Sequence, residues 1–319
     1  MQVGARVYED VPKFMRTQLW LSLLDQQEAT ARSGARCSPG GGAAPAHDTL
    51  DDLASMLCEG DYYGGRVTGL AASNVGTAAP GEFIEDVGAV IARDISRTFP
   101  SHALFQTPEG RAKLQRVLHA YAIHDPGVGY CQGMAFVAGL LLMYLEEGRA
   151  FAALVTLMHG AGLRALYLPG MAALQLRLRQ LEELLRRRSP ALGAHLAAHD
   201  VSPVIYASAW FLSLFAAEFP FAFTARIIDV ALAERSAAVV LRVALGLLDA
   251  AEAPLLALDN FEALVIYIKV ELKNLPAERL REILTRASRC ALCASLPPWH
   301  RADARSLHAP RQCRLRWRA

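Results

Sequence analysis

The sequence carries almost no net charge and has few cysteines. Its 319 residues include 33 basic and 31 acidic side chains, a formal charge of +2, and six cysteines. A nucleic-acid partner usually requires a larger basic excess, so none is expected. Because the cysteines are sparse and no charged segment followed by an apolar one opens the chain, we expect a cytoplasmic protein with reduced thiols.

The sequence also lacks a long uninterrupted apolar run. Its most apolar stretch, Val201 to Val230, is interrupted by Glu218 and Pro220. No run reaches the roughly 18 to 20 residues that a membrane-spanning helix needs. We therefore expect no transmembrane segment, and we predict two buried helices that meet near Pro220.

Several motifs for nucleotide and catalytic chemistry are missing. The sequence contains no GxxxxGK loop followed by Ser or Thr, no HExxH and no GxSxG. The glycines at 127, 129 and 133 do not have the GxGxxG spacing, and no predicted strand precedes them. The protein is therefore expected to hold no nucleotide or other cofactor of its own.

A single CxxC pair, Cys290 and Cys293, is the one pattern that resembles part of a metal site. Structural zinc sites normally combine such a pair with a second closely spaced pair, whereas the later candidates His300, His308 and Cys313 are spread out. We expect no metal site and interpret these cysteines as incidental residues of a solvent-exposed tail.

Apolar residues recur at spacings of three and four along most of the chain. No alternating run bounded by turn residues indicates a strand. The pattern predicts an all-α fold without a β-sheet, including helices over 132–146, 203–217 and 257–273. Two segments rich in small residues, 33–45 and 64–81, are predicted to be loops.

The segment from Ile91 to Pro100 predicts a helix that ends close to an arginine. Pro100 disfavours helical geometry at the preceding residue, so Arg97 lies in the last turn, where its guanidinium can project beyond the helix end. Asp94 is three residues earlier and can meet Arg97 on the same face. By itself this pattern also fits a purely structural role, in which Arg97 pairs with Asp94 and with the helix dipole.

A second candidate, Gln132, lies where a loop is predicted to meet a helix. The turn signal of residues 125–127 precedes it, and an apolar run starts at Met134. Gly129 and Gly133 flank the glutamine, and glycines permit close approach of another backbone. The Gln132 amide can then address a water molecule or a partner's main chain. The alternative is a helix-start residue that satisfies free backbone amides.

Together the two segments resemble the signature of the TBC domain, the fold of Rab GTPase-activating proteins. The family's IxxDxxR motif is matched by Ile91, Asp94 and Arg97, and its YxQ motif by Tyr130 and Gln132. Further matches follow in the family's order: VPKFMRTQLW at 11–20 with Arg16 and Trp20, RTFPSHALF at 97–105, GYCQGM at 129–134, YLPGM at 167–171, Pro190 to His195, WFLSLFAAEFP at 210–220 and RIID at 226–229.

This resemblance implies an all-α TBC domain of two helical subdomains over residues 8–275. The segments 33–45 and 64–81 are then loop insertions. Residues 276–319 are expected to form a short helix followed by a basic, loosely ordered tail.

The resemblance also implies a GTPase activator that supplies Arg97 and Gln132 in trans to a Rab-family small GTPase in its GTP-bound form. Arg97 is expected to stabilise transition-state charge, and Gln132 to position the attacking water or a switch region. GTP and Mg²⁺ belong to the partner. Membrane contact is expected only indirectly, through the lipidated GTPase, with the protein cytoplasmic or peripheral on endomembranes.

Asp94 is expected to fix the Arg97 side chain. The remaining supporting candidates are Tyr130, Gly133, Ile91, Arg16, Trp20, Arg226 and Asp229. One alternative is a TBC-fold adaptor that binds a Rab or another partner without accelerating hydrolysis. Another is a helical scaffold without any link to a GTPase.

Four positions depart from the family's usual residues. Asp10 and Arg235 stand where glycine is common, Ile228 where tryptophan is common, and Ala135 where a polar residue is common. All four lie outside the two finger positions. We expect them to affect local packing or the choice of GTPase rather than the chemistry.

Overall fold

The structure, a computed structural model, describes residues 11–35 and 80–289, and this part of the chain contains helices but no strand. The all-α prediction is confirmed. The α-helices are α1 (Lys13–Ala35), α2 (Pro80–Arg97), α3 (Ala103–Gln106), α4 (Pro108–His124), α5 (Met134–Leu142), α6 (Glu147–Val155), α7 (Arg164–Tyr167), α8 (Ala172–Arg188), α9 (Pro190–Ala198), α10 (Pro203–Ser213), α11 (Phe221–Glu234), α12 (Ala238–Ala250), α13 (Glu252–Leu256), α14 (Phe261–Ile266) and α15 (Ala277–Arg289).

The helices pack as two groups. Helices α1 to α6 contact one another in the first group, and α8, α9, α10, α12, α13 and α15 in the second. Helix α11 contacts α1 on one side and α12 and α15 on the other, while α10 reaches α5 across the boundary. The two groups therefore meet along α10 and α11.

A buried carboxylate joins α1 to α11. Asp229 accepts hydrogen bonds from Arg16 Nε at 3.1 and 3.2 Å, from Trp20 Nε1 at 2.6 Å and from Arg226 Nη1 at 3.0 Å. All four residues are buried. The motifs at 16–20 and 226–229, which are far apart in the sequence, thus meet in one polar cluster in the core.

Proline and left-handed residues set the boundary between α10 and α11. The prediction of two buried helices meeting near Pro220 is confirmed, since Pro220 caps the start of α11. Helix α10 ends at Ser213 rather than at the predicted 217, because Leu214 and Phe215 adopt positive φ angles of 51° and 66°. Helical geometry cannot continue through such residues.

The prediction of one continuous helix over 257–273 is wrong. The structure has the α-helix α14, then a π-helix over Tyr267–Glu271 and a 3₁₀ turn over Leu272–Asn274. Apolar spacing does not distinguish these hydrogen-bond patterns here, because segments of 5 and 3 residues are too short for their different periods to be visible in the sequence. The helix predicted over 132–146 starts at Met134 and ends at Leu142.

Several predicted features fall outside the described residues: most of the loops 33–45 and 64–81, the departure at Asp10, and the tail beyond Arg289 with its CxxC pair. Within the described part, residues 33–35 end α1 and residues 80–81 begin α2, so these ends of the two predicted loops are helical. None of the described helices combines the length and the apolar content needed to cross a bilayer.

The conformation of Arg235 is one that suits the glycine expected at this position. It terminates α11 with φ 52° and ψ 41°, a left-handed conformation in which a residue with a Cβ is strained by roughly 1–2 kcal/mol. We expect Arg235→Gly to raise the free energy of unfolding by about 1 kcal/mol in chemical denaturation.

Arg235→Ala is the matched control, because it removes the exposed side chain but keeps the Cβ. It should leave the free energy of unfolding within about 0.5 kcal/mol of wild type. An equal gain in both variants would contradict the strain argument.

Candidate functional site

Arg97 is the last residue of α2, as the proline at position 100 predicted. Its Nη2 donates a hydrogen bond to Asp94 Oδ1 at 2.5 Å, while 48% of the side chain stays exposed. The Asp94 side chain is 5% exposed. A buried carboxylate therefore holds an exposed guanidinium at the end of the helix.

Phe99 turns the chain sharply just after Arg97. It has a φ of 48°, unusual for an aromatic residue, and it is buried. Its ring packs edge-on against the rings of Phe136 and Phe221, with centroid distances of 5.3 and 5.0 Å. The ring also lies against Gly139, where an added Cβ would be only 3.1 Å from it. This aromatic packing offsets the backbone strain and fixes where α2 ends.

Tyr130 connects the segment that carries Arg97 to the segment that carries Gln132. Its hydroxyl donates to Asp94 Oδ2 at 2.5 Å, across 36 positions of sequence, so both oxygens of Asp94 are engaged. Burial, with the hydrogen bond to Asp94, raises the pKa of Tyr130, and the hydroxyl stays protonated as a donor. Asp94 is the hub between the segment carrying Arg97 and the segment carrying Gln132.

Gln132 is exposed in the turn that leads into α5. Among residues 11–35 and 80–289, its side-chain amide has no hydrogen-bond partner. The next residue, Gly133, caps α5 with a φ of 107°. The amide is therefore free to bind an external group from a fixed backbone position.

Gly133 lies directly against the last turn of α10. A Cβ at this position would be 2.6 Å from the carbonyl oxygen of Leu212 and 3.0 Å from its carbon, both backbone atoms. Only glycine combines this contact with the positive φ. The turn bearing Gln132 is thus seated on the boundary between the two helix groups.

Gly133→Ala should destabilise the protein by about 1–3 kcal/mol, since it adds both a backbone clash and left-handed strain. Chemical denaturation measures this loss. Gly148→Ala is the control, because Gly148 has open space around it and a negative φ. Comparable free energies of unfolding for the two variants would contradict the close packing of this turn against α10.

The other predicted supporting residues lie buried in the core. Ile91 is fully buried one turn before Asp94 on α2. Arg16, Trp20 and Arg226 surround Asp229 in the core, in the cluster that joins α1 to α11. The structure therefore brings Arg97, Asp94 and Tyr130 into contact, with Gln132 two residues further on, and leaves the others in architectural positions.

Two departures from the family pattern, Ala135 and Ile228, are fully buried in the core. The roles of Phe99 and Leu212 were not foreseen from the sequence. Phe99 precedes a proline, which indicates a helix end but not a left-handed residue. Leu212 is 79 positions from Gly133, and no local pattern links them.

Chemically, the site offers an always-charged, fork-shaped donor and a neutral amide that can both donate and accept. Among the described residues the Gln132 amide has no partner, and the partner of Arg97, the Asp94 carboxylate, has both oxygens engaged by hydrogen bonds from Arg97 and Tyr130. The Cys131 thiol is half-buried, and burial raises its pKa, which disfavours the reactive thiolate. Such a pair suits stabilisation of another molecule's transition state better than covalent chemistry within this chain.

Comparison with known proteins gives a consistent result. The family model described as the Rab-GTPase-TBC domain matches residues 83–256, a span that includes both Arg97 and Gln132. The chain is 40% identical over 195 residues to TBC1 domain family member 4 of Mus musculus, a match covering 60% of this chain and 15% of that protein. It is 40% identical over 185 residues to the Rab GTPase-activating protein tbc-11 of Caenorhabditis elegans, covering 57% of this chain and 20% of that protein.

The chain thus spans about a fifth or less of the length of these relatives. Crystal structures of two Rab-GAP domains are among those that share its fold. The Chlamydomonas flagellar RabGAP TBC domain superposes with a TM-score of 0.66 at 24% identity, covering 90% of this chain and 83% of that one. The Ypt/Rab-GAP domain of Gyp1p superposes with a TM-score of 0.66 at 18% identity, covering 89% of this chain and 90% of that one.

Proposed function

Because this chain belongs to the RabGAP-TBC family, whose model matches more than half of it, we propose that it accelerates GTP hydrolysis by a Rab-type small GTPase. The relatives named above include a Rab GTPase-activating protein. The observation that carries the proposal is the hydrogen-bonded chain from Tyr130 through Asp94 to Arg97, with the exposed Gln132 on the adjoining turn.

Arg97 acts as the arginine finger. Phosphoryl transfer spreads negative charge over the γ-phosphate oxygens, and a guanidinium inserted by a partner stabilises that charge in a site emptied of water. Arg97 suits this role because it ends a helix, is half exposed, and has its guanidinium oriented by a hydrogen bond from Nη2 to the buried Asp94.

Releasing Arg97 from Asp94 costs more than breaking a surface pair, because the Asp94 side chain is only 5% exposed, but less than the finger contributes. A hydrogen bond to a charged group contributes about 1.5–3 kcal/mol, and Asp94 keeps its hydrogen bond from Tyr130. An arginine finger contributes on the order of 10³ to 10⁵ in rate, roughly 4 to 7 kcal/mol of barrier. The tether therefore pre-orients the side chain without preventing its transfer to the nucleotide.

Gln132 positions the attacking water or a switch segment of the GTPase. Many GTPases use a glutamine of their own for the water. A glutamine with an unoccupied amide on a rigid turn can replace it, since one amide supplies both a donor and an acceptor. Asp94, Tyr130 and Gly133 support the two fingers.

The reaction requires no cofactor bound by this chain, because GTP and Mg²⁺ arrive with the GTP-bound partner. Membrane contact is indirect, through the lipid anchor of that partner. The alternative is an adaptor that binds a Rab without accelerating hydrolysis; the free Gln132 amide and the exposed Arg97 favour the activator.

Single-turnover GTP hydrolysis across a panel of GTP-loaded Rab proteins tests the proposal. We expect the wild-type chain to accelerate at least one of them by about 10³-fold or more, and Gln132→Ala to lose most of that gain. If none is accelerated, the activator proposal fails. Capture of a GTP-loaded Rab without acceleration would then identify the adaptor.

A further inference from the structure

Helix α7 contains only Arg164 to Tyr167, yet its two end residues reach opposite ends of the segment that carries Gln132. The two side chains are three positions apart and so lie on the same face of the helical turn. The segment begins at Asp125, where α4 ends, and finishes at Gly133, where α5 begins.

Arg164 holds the beginning of this segment. Its Nε and Nη2 donate to the two oxygens of Asp125 at 2.6 and 2.8 Å, a bidentate pair. Tyr121 also donates its hydroxyl to Asp125, at 3.1 Å. Burial acts to raise the pKa of Asp125, but the hydrogen bond and charge of Arg164 outweigh it and the pKa is lowered, so the carboxylate is ionised at neutral pH.

The backbone of Asp125 organises the turn that follows. Its carbonyl oxygen accepts hydrogen bonds from the amides of Val128 at 3.1 Å and Gly129 at 2.8 Å. Fixing Asp125 through its side chain therefore fixes the first half of the loop as well.

Tyr167 holds the other end through a helix carbonyl. Its buried hydroxyl donates to the carbonyl oxygen of Leu212 at 2.7 Å. This carbonyl belongs to the last turn of α10, where such groups lack a partner within the helix. The same oxygen is the atom against which Gly133 is seated.

We infer that α7 is a clamp for the glutamine finger, in which Arg164 and Tyr167 are positioning residues that hold Gln132 in place from both ends of residues 125–133. This inference rests on the proposed function, because it assigns the clamp a role in the acceleration. Neither residue touches the nucleotide. Each acts through the backbone of the turn.

The clamp predicts a defined kinetic defect for Tyr167→Phe. Loss of one hydroxyl frees the Leu212 carbonyl and lets the turn shift, and a displacement near 1 Å can cost up to about a hundredfold in rate. We expect kcat to fall about tenfold while KM for the GTPase changes less than about twofold, because the docking surface is unchanged.

Tyr206→Phe is the matched control. Tyr206 is also buried, and its hydroxyl has no hydrogen-bond partner among the described residues, so its removal should leave kcat unchanged. Arg164→Lys keeps the charge but loses the bidentate geometry, and a partial kcat defect of the same kind is expected.

A double-mutant cycle asks whether Tyr167 acts through Gln132. In a Gln132→Ala background, Tyr167→Phe should cause no further loss of rate, because the positioned group is already gone. A full tenfold loss in that background would show that Tyr167 does not act through Gln132, and would overturn the inference.

Amide hydrogen exchange tests the clamp without any GTPase. Tyr167→Phe should speed exchange in residues 128–134 by about tenfold or more relative to wild type and Tyr206→Phe, with the rest of α4 and α5 unchanged. Unchanged exchange in this segment would overturn the clamp even if the chain is an active GTPase activator. Conversely, a loosened turn in a chain that accelerates no Rab would show that α7 positions the turn, but would remove the proposed function and with it the role of the clamp in acceleration.

Discussion

Replacing Arg97 with alanine should reduce the acceleration of GTP hydrolysis by about 10³ to 10⁵, close to the rate of the GTPase alone. The guanidinium is the only group of the Arg97–Asp94–Tyr130 chain that carries positive charge and is exposed. Removing it leaves the developing phosphate charge without its donor in a site from which water is excluded.

Arg97→Lys should fail almost as severely. An ammonium is a compact point charge and cannot make the two parallel hydrogen bonds of a guanidinium fork. Single-turnover measurements at saturating activator separate this loss from weaker docking, since a defect confined to the transition state lowers kcat and leaves KM unchanged.

Arg93→Ala is the control for both variants. Arg93 is exposed on the same helix, one turn before Arg97. Its replacement should change kcat less than about threefold, because a surface charge away from the helix end affects docking at most. Full activity of Arg97→Lys would contradict the fork argument, and equal losses from Arg93→Ala and Arg97→Ala would contradict the assignment of the finger.

Replacing Asp229 with alanine should lower the free energy of unfolding by about 3–5 kcal/mol. The carboxylate accepts hydrogen bonds from Arg16, Trp20 and Arg226, and all of them are buried. Without it, two guanidinium charges and an indole N–H remain in the core with no common acceptor. The loss is larger than for a surface pair because water cannot replace the missing partner.

Denaturant-induced unfolding of Asp229→Ala and Asp25→Ala provides the comparison. Asp25 pairs with Arg149 at 3.1 Å, but both side chains are about half exposed, so its removal should cost under about 1 kcal/mol. Similar losses in the two variants would show that the buried cluster contributes no more than a surface pair.

Local sequence signals predicted the ends of the finger segments well. Pro100 predicted that α2 ends near Arg97, and the turn signal at 125–127 predicted a loop before Gln132. Proline and glycine act on their immediate neighbours, so their effects can be read directly from the sequence.

The contacts that assemble the site could not be read in this way. The hydrogen bond of Tyr130 to Asp94 spans 36 positions, that of Tyr167 to Leu212 spans 45, and the seating of Gly133 on Leu212 depends on how α10 meets α5. Such contacts follow from tertiary packing, which hydrophobic periodicity does not specify. Resemblance to a family indicated that these residues matter, but not what they touch.

Arg235 is an instructive intermediate case. The missing glycine was visible in the sequence, but its consequence, a strained helix end at φ 52°, needed the structure. Because the strain lies at the end of α11 and involves none of the contacts around Asp94, it affects stability rather than the fingers.

The most direct test of the central claim uses a Rab that this chain accelerates and replaces that GTPase's own water-orienting glutamine with leucine. If the activator supplies both fingers, the wild-type chain should still accelerate hydrolysis by this variant within about tenfold of the normal gain, and Gln132→Ala should abolish the effect. Failure of the wild-type chain to accelerate the leucine variant would mean that the glutamine acts in the GTPase, and that this chain contributes at most Arg97.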